Sequence, residues 1–398
     1  MLPKHPDQYE DDELRQWVER LVQDQVEEGP RLDYKAEIHL AEPAQRREAA
    51  KDISSFANEI GGTLLYGIPE DRGSSGAPIP TQPYGIDPIP NLEQQLEDVH
   101  MGFIQPSLPE SRIRKVELNN YPNKVVYVVW TPESWLGPHM VEPHGDRRYY
   151  RRGQFRAVIM AEHEVRSRYE RLLASLDIAS TAVDELETNT LSSRFDLPCG
   201  SHYLAYPLAP PHQRIDFTAD SMQGWLRRNV YPPNVWIPAV FGVQTNLERN
   251  SGNPRSPWST YARITRYGAT SIWQHTRINI AEGGDAPTSI ASIAEFRDVR
   301  RFLQLVAALY DQIGYFGPLR IRLRFNTGYA VDLHVAQDAG HSPLAFHGPY
   351  PLTVEVDTSA SDLILQPSVV FKQLADAFMN AFGVWQADWL TENGEFLR

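Results

Sequence analysis

The stretch SSFANEIGGTLLYGIPEDRG, Ser54–Gly73, constrains this chain more than any other. Ahead of it, Ala49, Ile53, Phe56 and Ile60 fall on one helical stripe, which predicts a helix from about Pro43, in its first turn, to Asn58. Gly61-Gly62 stops that helix, because glycine accepts the left-handed backbone that follows a helix end. TLLYGI then reads as a buried strand that surfaces into an acidic loop at Glu70 and Asp71. A lone acidic pair in a loop is an ordinary solvated feature. It becomes chemistry only if other carboxylates point at the same spot.

Other segments supply the remaining elements of an α+β fold. Leu14, Trp17, Val18, Leu21 and Val22 have helical spacing within residues 1–30, and RLDYKAEIHL alternates Leu32 and Tyr34 with charged neighbours, as a half-exposed strand does. KVVYVVW and RRYYRR read as two more strands, and Gly73–Pro90 as a proline- and glycine-rich loop. A chain of 398 residues exceeds the length at which one core stops growing. The expected division is a first domain at 1–175, a linker at 176–196 and an aromatic-rich α+β domain at 197–398. In the latter, an amphipathic helix spans Ile293 to about Ile313, with Phe296, Val299, Leu303, Val306 and Tyr310 on its stripe. LRIRLRF and YAVDLHV alternate as a hairpin around Asn326-Thr327-Gly328, and a last helix runs from about Pro367 to Gly383. Trp225, Trp236, Trp258 and Trp273 suit a core as well as a base-stacking surface, and core is the reading taken.

Composition removes several classes of function. No apolar run approaches the ~18 residues of a membrane span, and Met1–Glu10 lacks the basic flank and apolar centre of a signal peptide, so a cytoplasmic location without membrane contact is expected. One cysteine, Cys199, excludes an internal disulfide and a multi-cysteine zinc site, and reads as a small buried hydrophobe. Phosphate-loop, dinucleotide, nucleophile-elbow and HExxH signatures are absent. His139 and His144 have loop spacing, and ordinary turn residues are the reading taken over a shared metal site. The net charge of −13 is uneven: nine acids against two arginines from Asp7 to Glu28, eight arginines against three glutamates from Arg147 to Arg171. The arginine-rich stretch is a candidate phosphate-facing surface.

LDYK, then ISSFANEIGGTLLYGI, an acidic loop and YYRRGQFRAV followed by a helix together resemble the AlbA_2 domain of the Schlafen family over about Glu28–Leu172. The resemblance implies a nucleic-acid-associated fold, in some members an endoribonuclease with three carboxylates, acting in defence or stress responses. It places the first acid at Glu28, five residues before Asp33, and the third at Glu70 or Asp71. Asp33 stands where the family has glutamate, and Pro69 where aspartate is common. Homodimerisation, or assembly into a larger protein complex, is the remaining partner expectation.

Phosphodiester hydrolysis stabilises charge on phosphorus, and clustered carboxylates serve it by holding Mg²⁺ or Mn²⁺, which take oxygen ligands. Glu28, Asp33 and Glu70 are the expected metal ligands, with Asp71 the alternate third, and Lys35 the cation beside the scissile phosphate. Arg151 and Arg156 are the choices for phosphate contacts on RNA or DNA, and Arg152 is a further candidate; Gly153 would let the backbone approach a phosphate. Asn58 is expected to be structural, tying the helix end to the following strand. Three functional readings stand: a metal-dependent nuclease, a noncatalytic nucleic-acid binder or sensor, and a protein-interaction subunit. An enzyme requires the acids to converge, whereas a binding module requires only the arginines.

Overall fold

The computed structural model describes residues 5–174 apart from 109, 135 and 143–146, and beyond them 200–209, 215–229, 236–239, 242–245, 260–274, 293–326 and 352–396 apart from 388. It divides into two compact units, Met1–Ala174 with Gly314–Phe316, and Ser175–Ile313 with Gly317–Arg398. The segments expected as linker, Cys199, His144, Trp258 and the strand YAVDLHV lie outside the described residues.

The first unit opens with α1 (Asp11–Gln23), whose five stripe residues are all buried. β1 (Leu32–Lys35) pairs in parallel with β2 (Gly62–Tyr66), Asp33 opposite Leu64. α2 (Pro43–Ala57) carries the chain between them. It starts on a capping box between Glu42 and Gln45 with Pro43 in its first turn, and Asn58 closes it. Gly61 then takes φ +70°, the left-handed conformation expected there.

The acidic loop is a correction: Glu70–Arg72 forms β3, an exposed strand paired with β4 (Pro78–Pro80). α3 (Leu92–Phe103) and β5 (Ile104–Gln105) follow, then β6 (Arg112–Glu117) and β7 (Val125–Thr131). A mixed sheet results in the order β1-β2-β7-β6. A second, antiparallel sheet joins β5 to β8 (Met140–Val141), β9 (Arg148–Arg152) and β10 (Ala157–Ile159). Ile53, Phe56, Leu64, Leu96, Tyr127 and Val129 belong to the core shared by these elements. Helix α4, residues 162–174, ends the described part of the unit.

The second unit is built on one antiparallel sheet. Its strands are β11 (Gly200–Pro207), β12 (Trp236–Ala239), β13 (Gly242–Thr245), β14 (Thr260–Thr265), β15 (Thr270–Gln274), β16 (Pro318–Asn326) and β17 (Leu352–Ser359). They lie in the order β12-β13-β14-β15-β11-β16-β17. Among the described residues its helices are α5 (Asp220–Asn229), α6 (Ile293–Ile313), α7 (Ala360–Leu365) and α8 (Pro367–Asn380). The α6 stripe is buried, and Phe296 meets Phe371 and Phe378 edge-on. Trp225 and Trp273 are buried, as the core reading requires.

The hairpin expected at Asn326-Thr327-Gly328 extends into residues outside the described ones. Among the described residues, β16 pairs along one edge with β11 and along the other with β17.

Candidate metal centre

Three acids converge although they come from separate places in the chain. One carboxylate oxygen each from Glu28, Asp33 and Glu70 lies within 4.8 Å of the others, with Glu28 and Asp33 buried and Glu70 exposed. Local backbone bonding fixes each position. Glu28 donates its N–H to Pro78 of β4 at 2.8 Å, and its carboxylate accepts the Tyr34 N–H at 2.7 Å, which folds it back over β1. Glu70 arrives from the other strand of the β3–β4 ribbon. Successive strand residues point to opposite faces, so Asp71 leaves the cluster to which Glu70 belongs. Asp71 instead accepts the Arg72 N–H at 2.7 Å.

Asp33 is the most enclosed of the three, with its side chain 1% exposed. Lys35 shares its strand face and places Nζ 3.1 Å from Oδ1 and 3.0 Å from Oδ2. Arg152 of β9 donates from Nη1 to Oδ2 at 3.1 Å. The half-exposed strand expected here is therefore wrong at Asp33, which is covered and takes counter-charge from Arg152 of a distant strand as well as from Lys35, while Lys35 itself stays partly exposed.

These surroundings push the two buried acids apart. Burial, then hydrogen bonding to Asp33 and Glu70, raises the Glu28 carboxyl to about 9. Burial alone would raise Asp33 as well, but its hydrogen bond with Glu28 and the charges of Arg152 and Lys35 outweigh that and hold it below the usual carboxylate range. At neutral pH the cluster thus carries a proton on Glu28, which relieves the repulsion that three converging carboxylates impose.

Arg152 is a correction to the surface expectation. Its side chain is 1% exposed, its guanidinium carbon sits 4.7 Å over the Phe56 ring, and it faces Asp33. Arg151, on the opposite face of β9, donates to Glu164 at 2.7 Å. Arg156 is exposed, and its side chain makes no hydrogen bond or ion pair among the described residues. Gly153 spends its N–H on Arg156 O at 2.8 Å in a tight turn, so that donor is engaged.

The motif residues around the double glycine brace this arrangement. A Cβ on Gly62 would meet the Phe56 ring at 2.1 Å, so the second glycine makes the room in which the Arg152 platform sits. Asn58 does not tie the helix to the following strand. Its amide donates to the carbonyls of His139 at 2.9 Å and Tyr150 at 2.8 Å and accepts the His139 N–H at 2.7 Å, which pins β9 to the end of α2. His139 is fully buried in the segment just before β8, and its Nδ1 lies 2.6 Å from Pro106 O.

Asp52 was not singled out from the sequence. It is buried on α2, and burial raises its carboxyl to about 6 against the opposing charges of Lys51 and Lys35. Its position is the signal that was available: it falls three residues after Ala49 and four before Phe56, an acid on an apolar stripe.

Residues 28–156 match the family model described as Schlafen, AlbA_2, and this part of the chain is a Schlafen AlbA_2 domain. No curated protein matches the chain. Among solved structures, the chain is similar to the solution NMR structure of the N-terminal domain of a RecG-related protein from Nitrosomonas europaea. That similarity covers 37% of this chain and 94% of the other, at 18% identity and a TM-score of 0.25. Among the described residues, no helix is long and apolar enough to cross a membrane.

Proposed function

We propose that the AlbA_2 domain binds nucleic acid and cleaves its phosphodiester backbone with Mg²⁺ or Mn²⁺ held by Glu28, Asp33 and Glu70. The observation that carries this reading is the convergence of three carboxylate oxygens within 4.8 Å. Oxygens around one divalent ion, at roughly 2.0–2.6 Å per bond, span about 4–5 Å, so the donor set fits a hard cation in size and chemistry.

A bound divalent ion would stabilise charge developing on the phosphoryl oxygens and lower the pKa of a coordinated water. The chain's own residues do the rest. Glu28 releases its proton to become a ligand. Lys35, 36% exposed, is the cation beside Asp33 that can turn outward to a nonbridging phosphate oxygen. Arg152 stays on Asp33 and holds its angle. Asp52 supplies charge that favours the protonated state of Lys35.

A second reading, a noncatalytic nucleic-acid binder, draws on a different observation: both oxygens of Asp33 already lie in ion pairs with Lys35 and Arg152. Glu70→Gln separates the two, because Glu70 is exposed and its loss leaves the buried network standing. Cleavage of transfer RNA, ribosomal RNA and single-stranded DNA is measured with Mn²⁺ and with chelator. A nuclease loses cleavage in Glu70→Gln and in chelator while its nucleic-acid affinity holds or rises, since an anion has left a polyanion site. Wild type that binds but cleaves nothing makes the chain a binder, and equal cleavage in every arm means a contaminant.

A further inference from the structure

The face of β9 turned away from Arg152 carries a second feature. Between β9, β10 and α4 lies an open groove of about 560 Å³, its floor and walls formed by Tyr149, Ile159, Val165, Tyr169 and Leu173. Three of these are large apolar or aromatic side chains left in solvent: Ile159 is 49% exposed, Tyr169 43% and Leu173 66%. Val165, Tyr169 and Leu173 follow one another at intervals of four along α4, so they form a stripe rather than a scatter. Tyr149 and Tyr169 meet edge-on at 6.5 Å between ring centroids with their hydroxyls 3.2 Å apart, which holds two aromatic rings at the groove in fixed relation.

Arginines outnumber acids among the residues that line the rim. Arg147, Arg148 and Arg166 line it against Glu162 and Glu170. Arg147 pairs with Glu142 at 2.5 Å and Arg166 with Glu162 at 2.5 Å, but the two arginine side chains are 69% and 65% exposed. Exposed pairs of this kind contribute little, so a phosphate can replace the carboxylate at small cost. Flat aromatic faces beside exchangeable arginines are what an unpaired nucleotide requires. Its base stacks without hydrogen-bond readout, and its phosphates meet the guanidinium groups. A duplex offers the arginines the same phosphates but keeps its bases stacked within itself.

We infer that this groove binds an unpaired nucleotide of single-stranded nucleic acid, apart from the carboxylate cluster. The inference rests on the nucleic-acid reading above and adds the strandedness of the ligand.

The test measures fluorescence anisotropy of a labelled oligouridine and a labelled blunt RNA duplex with the whole chain. Wild type is compared with Tyr169→Ala, Leu173→Ser and Arg166→Gln, each checked for unchanged melting. Tyr169→Ala should weaken oligouridine binding about tenfold, with the duplex and the salt slope unchanged, because stacking releases no counterions. Leu173→Ser should act in the same direction, and Arg166→Gln should weaken both ligands and flatten the salt slope. Mn²⁺ binding should be the same in all four proteins. Oligouridine affinity indifferent to Tyr169→Ala, or an equal loss on the duplex, overturns the groove while leaving the nucleic-acid reading intact. No binding of either ligand by wild type overturns both. If sedimentation shows a wild-type dimer that Tyr169→Ala dissociates, the groove is covered by a second copy and the inference is wrong.

Discussion

β1 in the first unit and β16 in the second carry the same kind of sequence and meet opposite fates. LDYK and LRIRLRF both alternate apolar with charged residues. In β16 the charged positions stay at the surface, where Arg320 faces Asp357 and Arg322 faces Glu355 across to β17. In β1 Asp33 is enclosed: besides Lys35 of its own strand it pairs with Arg152 of β9, and Glu28 and Glu70 converge on it from other segments. Alternation therefore fixes which residues share a face, and distant segments decide whether that face meets water. Where a buried face is charged, each charge needs a partner built for it, and such a constellation is useful for chemistry in a way a surface ladder is not.

The largest expected difference between these strands is the cost of removing one acid. Asp33→Ala leaves the Arg152 cation buried without its partner and should lower stability by about 3–5 kcal/mol in chemical denaturation. The same change at Asp357, whose side chain is 56% exposed, should cost under about 1 kcal/mol. Equal costs would mean that the two environments are alike. Asp33→Ala is consequently a poor test of catalysis, since loss of cleavage would accompany loss of fold, and Asp33→Asn or Glu70→Gln serves better.

Asn58→Ala comes next. It removes three hydrogen bonds to groups around residues 139 and 150 and should cost roughly 2–3 kcal/mol, with the loss appearing as earlier melting of the first unit. A variant with unchanged melting but no cleavage would give Asn58 a chemical role instead.

Glu28 gives a smaller effect of opposite sign. Its carboxyl is raised to about 9 in the folded protein against 4.5 as a free group, so the folded state holds the extra proton throughout that window. Stability from this group is complete below pH 4.5 and is lost as pH rises through 9. Glu28→Gln, which cannot titrate, should melt a few degrees above wild type at pH 8, with the gap closing toward pH 5. A gap that does not vary with pH would show that Glu28 is ionised in the folded chain.

Much of the fold was readable from local pattern. The α1 stripe, the span of α2, its stop at the glycines and the α6 stripe depend on residues within a few turns of one another, and they stand as expected. What failed depended on a distant partner: the acidic loop became β3 because Pro78–Pro80 lies beside it. The site divides along the same line. Glu28, Asp33 and Glu70 were reached through a family resemblance, whereas the inward turn of Arg152 and the burial of Asp52 follow from packing that no single segment contains.

Asp33 and Arg152 are separated by 119 positions in the chain. At a synthesis rate of 5–20 residues per second, roughly 6–24 s pass between the making of the one and the making of the other. Throughout that interval the growing polypeptide holds an acid whose main counter-charge does not yet exist. Lys35, made two residues after Asp33, is the one cation of the pair available from the start, and the guanidinium arrives last.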